Sequence, residues 1–235
     1  MITLSAFISQ IQTLSTSIND YHYIYRSNNI NTDGLRLLKS SDCALQTDST
    51  SIIFTAIEQG LERDDLYFPV HGKTPEELRS VFGKCRYILG NFDDIDIIND
   101  IASELNKPGY LESIAIFVTP KNHKSSLESF DEAGLPLLSK RLKAADALAV
   151  RGVFFLWEME AYQEAAATLK SIYELVKSIT SLLPCRISYF NIGSCIDLFS
   201  QATLESSDDA LSLIQSANLV SFLNTTSFYS RLLIS

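Results

Sequence analysis

Apolar residues along this chain alternate between two spacings. Short apolar or aromatic runs, such as YHYIYR at 21–26 and SIAIFV at 113–118, are typical of buried strands. The longer stretches between them place apolar residues every three or four positions, the period of a helix with one buried face. The runs predict eight strands, at 21–26, 43–47, 65–70, 86–89, 113–118, 152–156, 186–191 and 219–223. The stretches predict helices at 4–18, 33–39, 49–59, from 74 onward, 93–106, 135–149, 158–182 and 208–217.

Two short motifs mark helix ends. Gly60 follows the stretch 49–59, where a glycine commonly ends a helix. Thr74 precedes Pro75, Glu76 and Glu77, which predicts a helix start with threonine as the cap, proline in the first position and acids in the first turn.

Strands that alternate with helices favour a parallel sheet, because each helix carries the chain back to the same edge. Eight such units in 235 residues predict one domain over residues 1–235, of the α/β class, folded as a closed (β/α)8 TIM barrel. An open doubly wound sheet usually has a glycine-rich turn after its first strand, whereas here the turn reads Ser27-Asn28-Asn29-Ile30.

Charge and cysteine usage narrow the class of protein. The chain has 19 basic and 28 acidic residues, a net charge of -9, so we expect neither nucleic acid nor an anionic membrane as a partner. Its apolar runs are too short to span a bilayer, and residues 1–7 lack the basic start of a secretory signal, so we expect a cytoplasmic protein. We expect free thiols and no metal site, because the four cysteines are far apart: Cys43, Cys85, Cys185 and Cys195.

In such a barrel the functional residues lie at the carboxyl ends of the strands. The predicted strand ends carry Arg26, Asp48, His71, Asn91, the run 121–124, Glu158, Asn191, Gly193, Ser194 and Asn224. This ring contains no spacing typical of paired catalytic carboxylates or of a metal site. The backbone N–H groups near Gly193 and Ser194 are candidates for binding an anion.

Several motifs then follow one another in a recognisable order: YIYRSN at 23–28, GKTPEEL at 72–78, VTP at 118–120 and YFNIGS at 189–194. They resemble the motifs Y-x-x-K-A-N, G-K-T-x-E-E-L, V-N-P and L-D-x-G-G-G of one enzyme family. That family is the fold-type III pyridoxal-phosphate (PLP) enzymes, which include diaminopimelate, ornithine and arginine decarboxylases and, more distantly, alanine racemase. The resemblance implies their alanine racemase-like barrel domain and covers most of the chain.

The departures from the family fall at its chemistry. The lysine that binds PLP as a Schiff base matches Arg26, and a guanidinium that stays protonated cannot form that bond. The histidine that stacks on the cofactor matches Leu156, and the glycine-rich phosphate loop keeps Gly193 alone. The family's E-P-G-R segment matches 224–227, which retains none of its side chains, and its C-terminal β-domain would begin where this chain ends.

These substitutions imply a non-catalytic relative of the PLP-dependent decarboxylases, with a binding or regulatory role and no covalently bound PLP. We expect a weak anion site at the barrel mouth, formed by Arg26, His71, Asn191, Gly193 and Ser194. The expected partners are a second copy of the chain or a protein that supplies the β-domain. The second copy is expected because Phe222, Leu223 and the run from Phe228 to Ile234 are apolar and would otherwise be exposed.

Other interpretations stay open. The chain is alternatively a PLP-dependent decarboxylase or racemase completed by another chain, or a PLP-independent barrel lyase whose amine is Lys121. Arg26 is alternatively an ion-pair partner of Asp48 or Glu158, and His71 and Lys121 are alternatively solvated loop residues. Trp157 is most simply core, and Cys195 is a second candidate nucleophile.

Overall fold

The computed structural model describes residues 4–5, 8, 21–121, 123, 125, 127–157, 165–183, 186–191 and 231–234. Within these residues eight strands form a closed barrel in the order β1 to β8. The strands are β1 (Tyr21–Arg26), β2 (Ala44–Gln46), β3 (Leu66–Pro69), β4 (Arg86–Leu89), β5 (Glu112–Val118), β6 (Leu148–Phe155), β7 (Tyr189–Asn191) and β8 (Arg231–Ile234). Every neighbouring pair is parallel, and β8 closes the barrel onto β1. The predicted (β/α)8 barrel is confirmed.

Helices connect strands β1 to β7 along the outside of the barrel. They are α1 (Thr32–Ser40), α2 (Thr50–Glu58), α3 (Pro75–Val81), α4 (Phe92–Leu105), α5 (Leu135–Ala144) and α6 (Ala165–Leu182). Leu4, Ser5 and Ile8 are also helical, within the predicted first helix, whereas the predicted helix at 208–217 lies outside the described residues.

Two predicted helix ends are confirmed. Gly60 has φ +89°, a left-handed conformation that glycine adopts readily just after a helix. The Thr74 side chain accepts the Glu77 N–H, and the Glu77 carboxylate accepts the Thr74 N–H in return, which forms a capping box at the start of α3.

The eighth strand was predicted in the wrong place. It is formed by Arg231–Ile234, which pairs with β7 on one side and β1 on the other, whereas the segment 219–223 lies outside the described residues. The residues matched to the E-P-G-R segment, 224–227, therefore precede β8 instead of following it. The argument for a homodimer also weakens, because part of the apolar run that motivated it is a barrel strand.

The end of α5 was also predicted wrongly. The helix stops at Ala144, and β6 begins at Leu148, where Leu148 pairs with Glu112 of β5. Beyond this the register of the β5–β6 pair shifts, so that Val150 pairs with Ile114 but Gly152 pairs with Ala115. The apolar period of 135–149 fits a helix, but pairing with β5 outweighs local propensity once the strands are adjacent.

The barrel interior is packed with side chains. A cluster separate from the outer core consists of Ile24, Ala44, Tyr67, Ile88, Ala115, Phe117, Phe154, Leu156 and Tyr189. The rings of Tyr67 and Phe154 meet edge to face with centroids 5.1 Å apart. A Cβ on Gly152 would lie 2.0 Å from Tyr189, so the glycine leaves the space that this ring occupies.

Ion pairs close the amino-terminal end of the barrel. The Arg86 guanidinium lies 2.8 Å from a carboxylate oxygen of Asp64 and 5.0 Å from the ring centroid of Tyr189. Arg63 forms an ion pair with Glu112, whose side chain is only 3% exposed. Charged groups this close to a barrel interior are tolerated because each has an oppositely charged partner.

Candidate functional site

Arg26 and Gln46 are neighbours at the carboxyl-terminal end of the barrel. Arg26 ends β1, Gln46 ends β2, and the two residues are paired in register. Side chains alternate along a strand, so both share a face with Ile24 and Ala44, which belong to the interior cluster. The Arg26 side chain is exposed, so its guanidinium stands at the mouth of the barrel, above the packed interior.

Gln46 is the unusual member of this pair. It is 2% exposed, and its Oε1 atom has no hydrogen-bond partner among the described residues. The polar groups around it are engaged with one another: Asn28 Oδ1 accepts the Thr47 hydroxyl at 3.1 Å and the Asp48 N–H at 2.8 Å. Buried polar atoms in proteins nearly always have a partner, so this acceptor marks a place where one is missing.

His71 belongs to a polar cluster from three loops at the same end of the barrel. Its Nδ1 atom lies 3.2 Å from a carboxylate oxygen of Glu128, which also accepts a hydrogen bond from the Asn91 side chain. The buried Asp94 carboxylate accepts the Gly90 N–H at 2.9 Å. Burial raises the pKa of Asp94, and the hydrogen bond from Gly90 lowers it in part.

Close packing holds Glu128 in this cluster. A Cβ on Gly90 would lie 2.2 Å from the Glu128 carbonyl oxygen, so the loop rests directly on the backbone after β4. Phe130 then packs edge to face on Phe92, with centroids 5.3 Å apart, and bridges to Val118 at the end of β5. The carboxylate that orients His71 is therefore fixed by backbone contacts as well as by hydrogen bonds.

The mouth is apolar on the side of β6. Leu156, the position matched to the stacking histidine, is 6% exposed and belongs to the interior cluster. Asn191, which ends β7, is fully buried. Arg26 and Asn191 thus lie at the ends of β1 and β7, on the faces of these strands that point to the barrel axis. The aliphatic side chain of Leu156 follows β6 at the same end of the barrel.

The loop after β5 contains the other candidate amine. Lys121 is exposed at the rim of a pocket of about 560 Å³ that His123, Asp131 and Glu132 also line. His123 Nε2 lies 2.9 Å from the Thr168 hydroxyl of α6, and its ring meets Trp157 edge to face. Trp157 is 3% exposed and part of the core, as predicted.

Several predicted residues lie outside the described residues: Asn122, Lys124, Glu158, Cys185, Gly193, Ser194, Cys195, Asn224 and 225–227. Cys43 and Cys85 are described, and both are buried free thiols as expected. Desolvation by burial raises the pKa of each thiol to about 12, which leaves them protonated at neutral pH.

No motif or spacing in the sequence indicates Gln46 or Glu128 as a functional residue. The local signal for Gln46 is weak: it lies two positions after Ala44 in a short strand, so the two side chains share a face of the strand and Gln46 points into the barrel. Glu128 lies in a polar loop, 57 positions after His71 in the sequence. Only the barrel topology brings the two residues together, because partners along one helix or strand lie within a few positions of each other.

Metal binding and membrane insertion find no support among the described residues. Among them, no group of three or more His, Cys, Asp or Glu side chains is placed to hold a metal ion. In the same part of the chain, no helix combines the length and the hydropathy that crossing a membrane requires.

No protein-family model matches this sequence, and no curated protein matches it. Solved structures do match. Diaminopimelate decarboxylase from Helicobacter pylori complexed with L-lysine has a TM-score of 0.74 at 17% identity, over 97% of this chain and 60% of that one. Ornithine decarboxylase from Entamoeba histolytica has a TM-score of 0.73 at 13% identity, over 97% and 62%. Arginine decarboxylase of Paramecium bursaria Chlorella virus has a TM-score of 0.71 at 14% identity, over 97% and 60%.

The chain therefore spans about 60% of the length of these structures. At this identity the likeness concerns the fold. The chain has the fold of the barrel domain of the PLP-dependent arginine, diaminopimelate and ornithine decarboxylases, as its motifs predicted.

Proposed function

We propose that this chain is a non-catalytic relative of the decarboxylases, and that its barrel mouth binds small anions through Arg26. The observation that carries the proposal is the guanidinium at the end of β1, where the resemblance places the Schiff-base lysine of the family. Arginine binds carboxylates and phosphates through two parallel hydrogen bonds and does not act as an amine nucleophile.

The residues at the mouth do not fit covalently held PLP. Arg26 has no amine that condenses with an aldehyde, and Leu156 offers an aliphatic side chain where the family pattern has a stacking histidine. We propose that the barrel persists as a scaffold whose site has changed its role.

The anion is expected nearer to Arg26 than to His71. The Glu128 carboxylate lies 3.2 Å from His71 Nδ1, and its negative charge disfavours a second anion there. Asn191, at the end of β7, faces the same axis and is the described polar residue that we propose as an additional contact.

The expected affinity is low. Hydrogen bonds to a charged group contribute roughly 1.5–3 kcal/mol each, and two such contacts must also offset the entropy lost on binding. We therefore expect millimolar or weaker binding, because 1 mM corresponds to about 4.1 kcal/mol.

The test is a titration of the purified protein with inorganic phosphate, followed by two-dimensional NMR. We expect saturable shifts of Arg26 and its neighbours in the wild type, and loss of saturation in Arg26→Ala. The matched control is Arg36→Ala, because Arg36 is an exposed arginine on α1 with a side chain 65% exposed. Equal binding by wild type and Arg26→Ala would contradict the proposal.

The alternative of a PLP-independent lyase gains no support from the surroundings of Lys121. A lysine that forms Schiff bases at neutral pH is usually held in a desolvated pocket, whereas Lys121 is exposed.

A further inference from the structure

We propose that the anion bound at Arg26 also carries hydroxyl groups, and that Gln46 Oε1 and His71 Nε2 accept hydrogen bonds from them. The ligand class is then a small hydroxylated anion. This inference rests on the proposed function, since it describes the ligand of the same mouth.

The first support is the buried acceptor on Gln46. Its Oε1 atom has no partner among the described residues, and its side chain is directed to the barrel axis beside Arg26. A fold that leaves such an acceptor unsatisfied loses the hydrogen bond that water would otherwise provide. A donor on a ligand that enters through the mouth restores it.

The second support is the fixed orientation of His71. Because Nδ1 lies 3.2 Å from the Glu128 carboxylate, the neutral ring carries its proton on Nδ1 and donates it to that oxygen. The other ring nitrogen, Nε2, is then an acceptor, and it has no hydrogen-bond partner in the described part of the chain. Glu128 is itself held by Asn91, so the acceptor is held ready before any ligand arrives.

The third support is the order of these groups around the mouth. Arg26 ends β1, Gln46 ends β2, and His71 lies in the loop after β3, so a cation and two acceptors follow one another at the carboxyl ends of three successive strands. Neighbouring strands lie about 4.8 Å apart, which places the groups along an arc of roughly 10 Å. An anion with hydroxyl groups on a chain of a few carbons matches that arc, whereas a bare phosphate reaches only the arginine.

The experiment compares three probes with the same charged group: inorganic phosphate, n-propyl phosphate and glycerol phosphate. The two organic probes have similar length and differ in their hydroxyl groups. We expect glycerol phosphate to bind the wild type about tenfold more tightly than propyl phosphate, a difference of about 1.4 kcal/mol.

Variants assign the hydroxyl contacts. Gln46→Leu and His71→Leu are each expected to lose most of the preference for glycerol phosphate and to keep the affinity for propyl phosphate. Gln59→Leu is the matched control, because Gln59 lies at the end of α2 and bonds to Arg36, away from the mouth. Circular dichroism confirms the fold of each variant before the titration.

The outcomes separate the two proposals. Equal binding of all three probes, lost in Arg26→Ala, overturns this inference and leaves the proposed function standing. No saturable binding of any probe overturns both. A preference for glycerol phosphate that persists in both Gln46→Leu and His71→Leu shows that other groups accept the hydroxyls, and it overturns the assignment made here.

Discussion

The ion pair between Arg63 and Glu112 allows a sharp test of how the barrel tolerates charge. Glu112 begins β5 with a side chain 3% exposed, while Arg63, in the turn before β3, is 35% exposed. Burial raises the pKa of Glu112, and the Arg63 charge lowers it in part. The substitution Arg63→Met keeps an unbranched apolar stem and removes the charge, so it leaves a buried carboxylate without its cation.

Removal of one partner of a buried pair typically costs 3–5 kcal/mol. We expect the lower end, about 3 kcal/mol at neutral pH, because the partial exposure of Arg63 allows water to approach the carboxylate. For a chain of 235 residues this corresponds to a decrease in Tm of roughly 6–12 °C.

The destabilisation should depend on pH in a defined direction. Folding raises the pKa of Glu112 above its ordinary value of 4.5, so the folded state binds this proton more tightly than the unfolded state. The stability from that proton is fully present below the unfolded pKa and is lost as the pH rises through the folded pKa. Because the Arg63 charge lowers the pKa of Glu112, Arg63→Met raises that pKa further, and the two proteins differ least once Glu112 is protonated in both. The difference in unfolding free energy between wild type and Arg63→Met should therefore shrink as the pH falls toward 4.5.

The assay is urea unfolding of both proteins from neutral pH to pH 4.5, followed by circular dichroism. Two controls accompany it. Arg79→Met removes an exposed pair with Glu104, which solvent screens, and should cost far less than Arg63→Met. The double variant Arg63→Met with Glu112→Gln should regain most of the loss. A cost that is the same at both pH limits, or that Glu112→Gln leaves unchanged, would refute the reasoning.

Three further predictions concern packing, thiol chemistry and capping. Gly152→Ala should cost roughly 3 kcal/mol in urea unfolding, because its Cβ would lie 2.0 Å from the Tyr189 ring; a cost below about 1 kcal/mol would mean that the ring moves freely. Cys43 and Cys85 should not react with a disulfide reagent in the native protein, because burial raises the pKa of both thiols to about 12; peptide mapping that finds either labelled before unfolding would contradict this. Thr74→Ala should cost about 1 kcal/mol and Thr74→Ser much less, and equal losses would argue against the capping box.

Periodicity and turn chemistry predicted most of the barrel, because each strand and helix carries its own local signal. β1 and β4 have their predicted bounds, and the helix after Thr74 begins as expected. The eighth strand was misplaced because two short apolar runs near the end of the chain have the same local pattern. Only the requirement that one of them pair with both β7 and β1 distinguishes Arg231–Ile234.

The site was less predictable than the fold. Strand ends indicated Arg26, His71 and Asn191, because the position of a strand end follows from the strand itself. The partners of these residues did not follow, since Glu128 reaches His71 through a loop that carries no periodic signal. Gln46 was missed because an unsatisfied acceptor is a property of three-dimensional packing.

The central claim is that this mouth does not hold PLP through a lysine. The most direct measurement is to mix the purified protein with one equivalent of PLP, reduce with borohydride, and map the modified peptides by mass spectrometry. The account predicts no Schiff-base absorbance beyond that of a denatured control, and only trace labelling spread over several exposed lysines. A single lysine labelled to stoichiometry, at Lys121 or elsewhere, would contradict it.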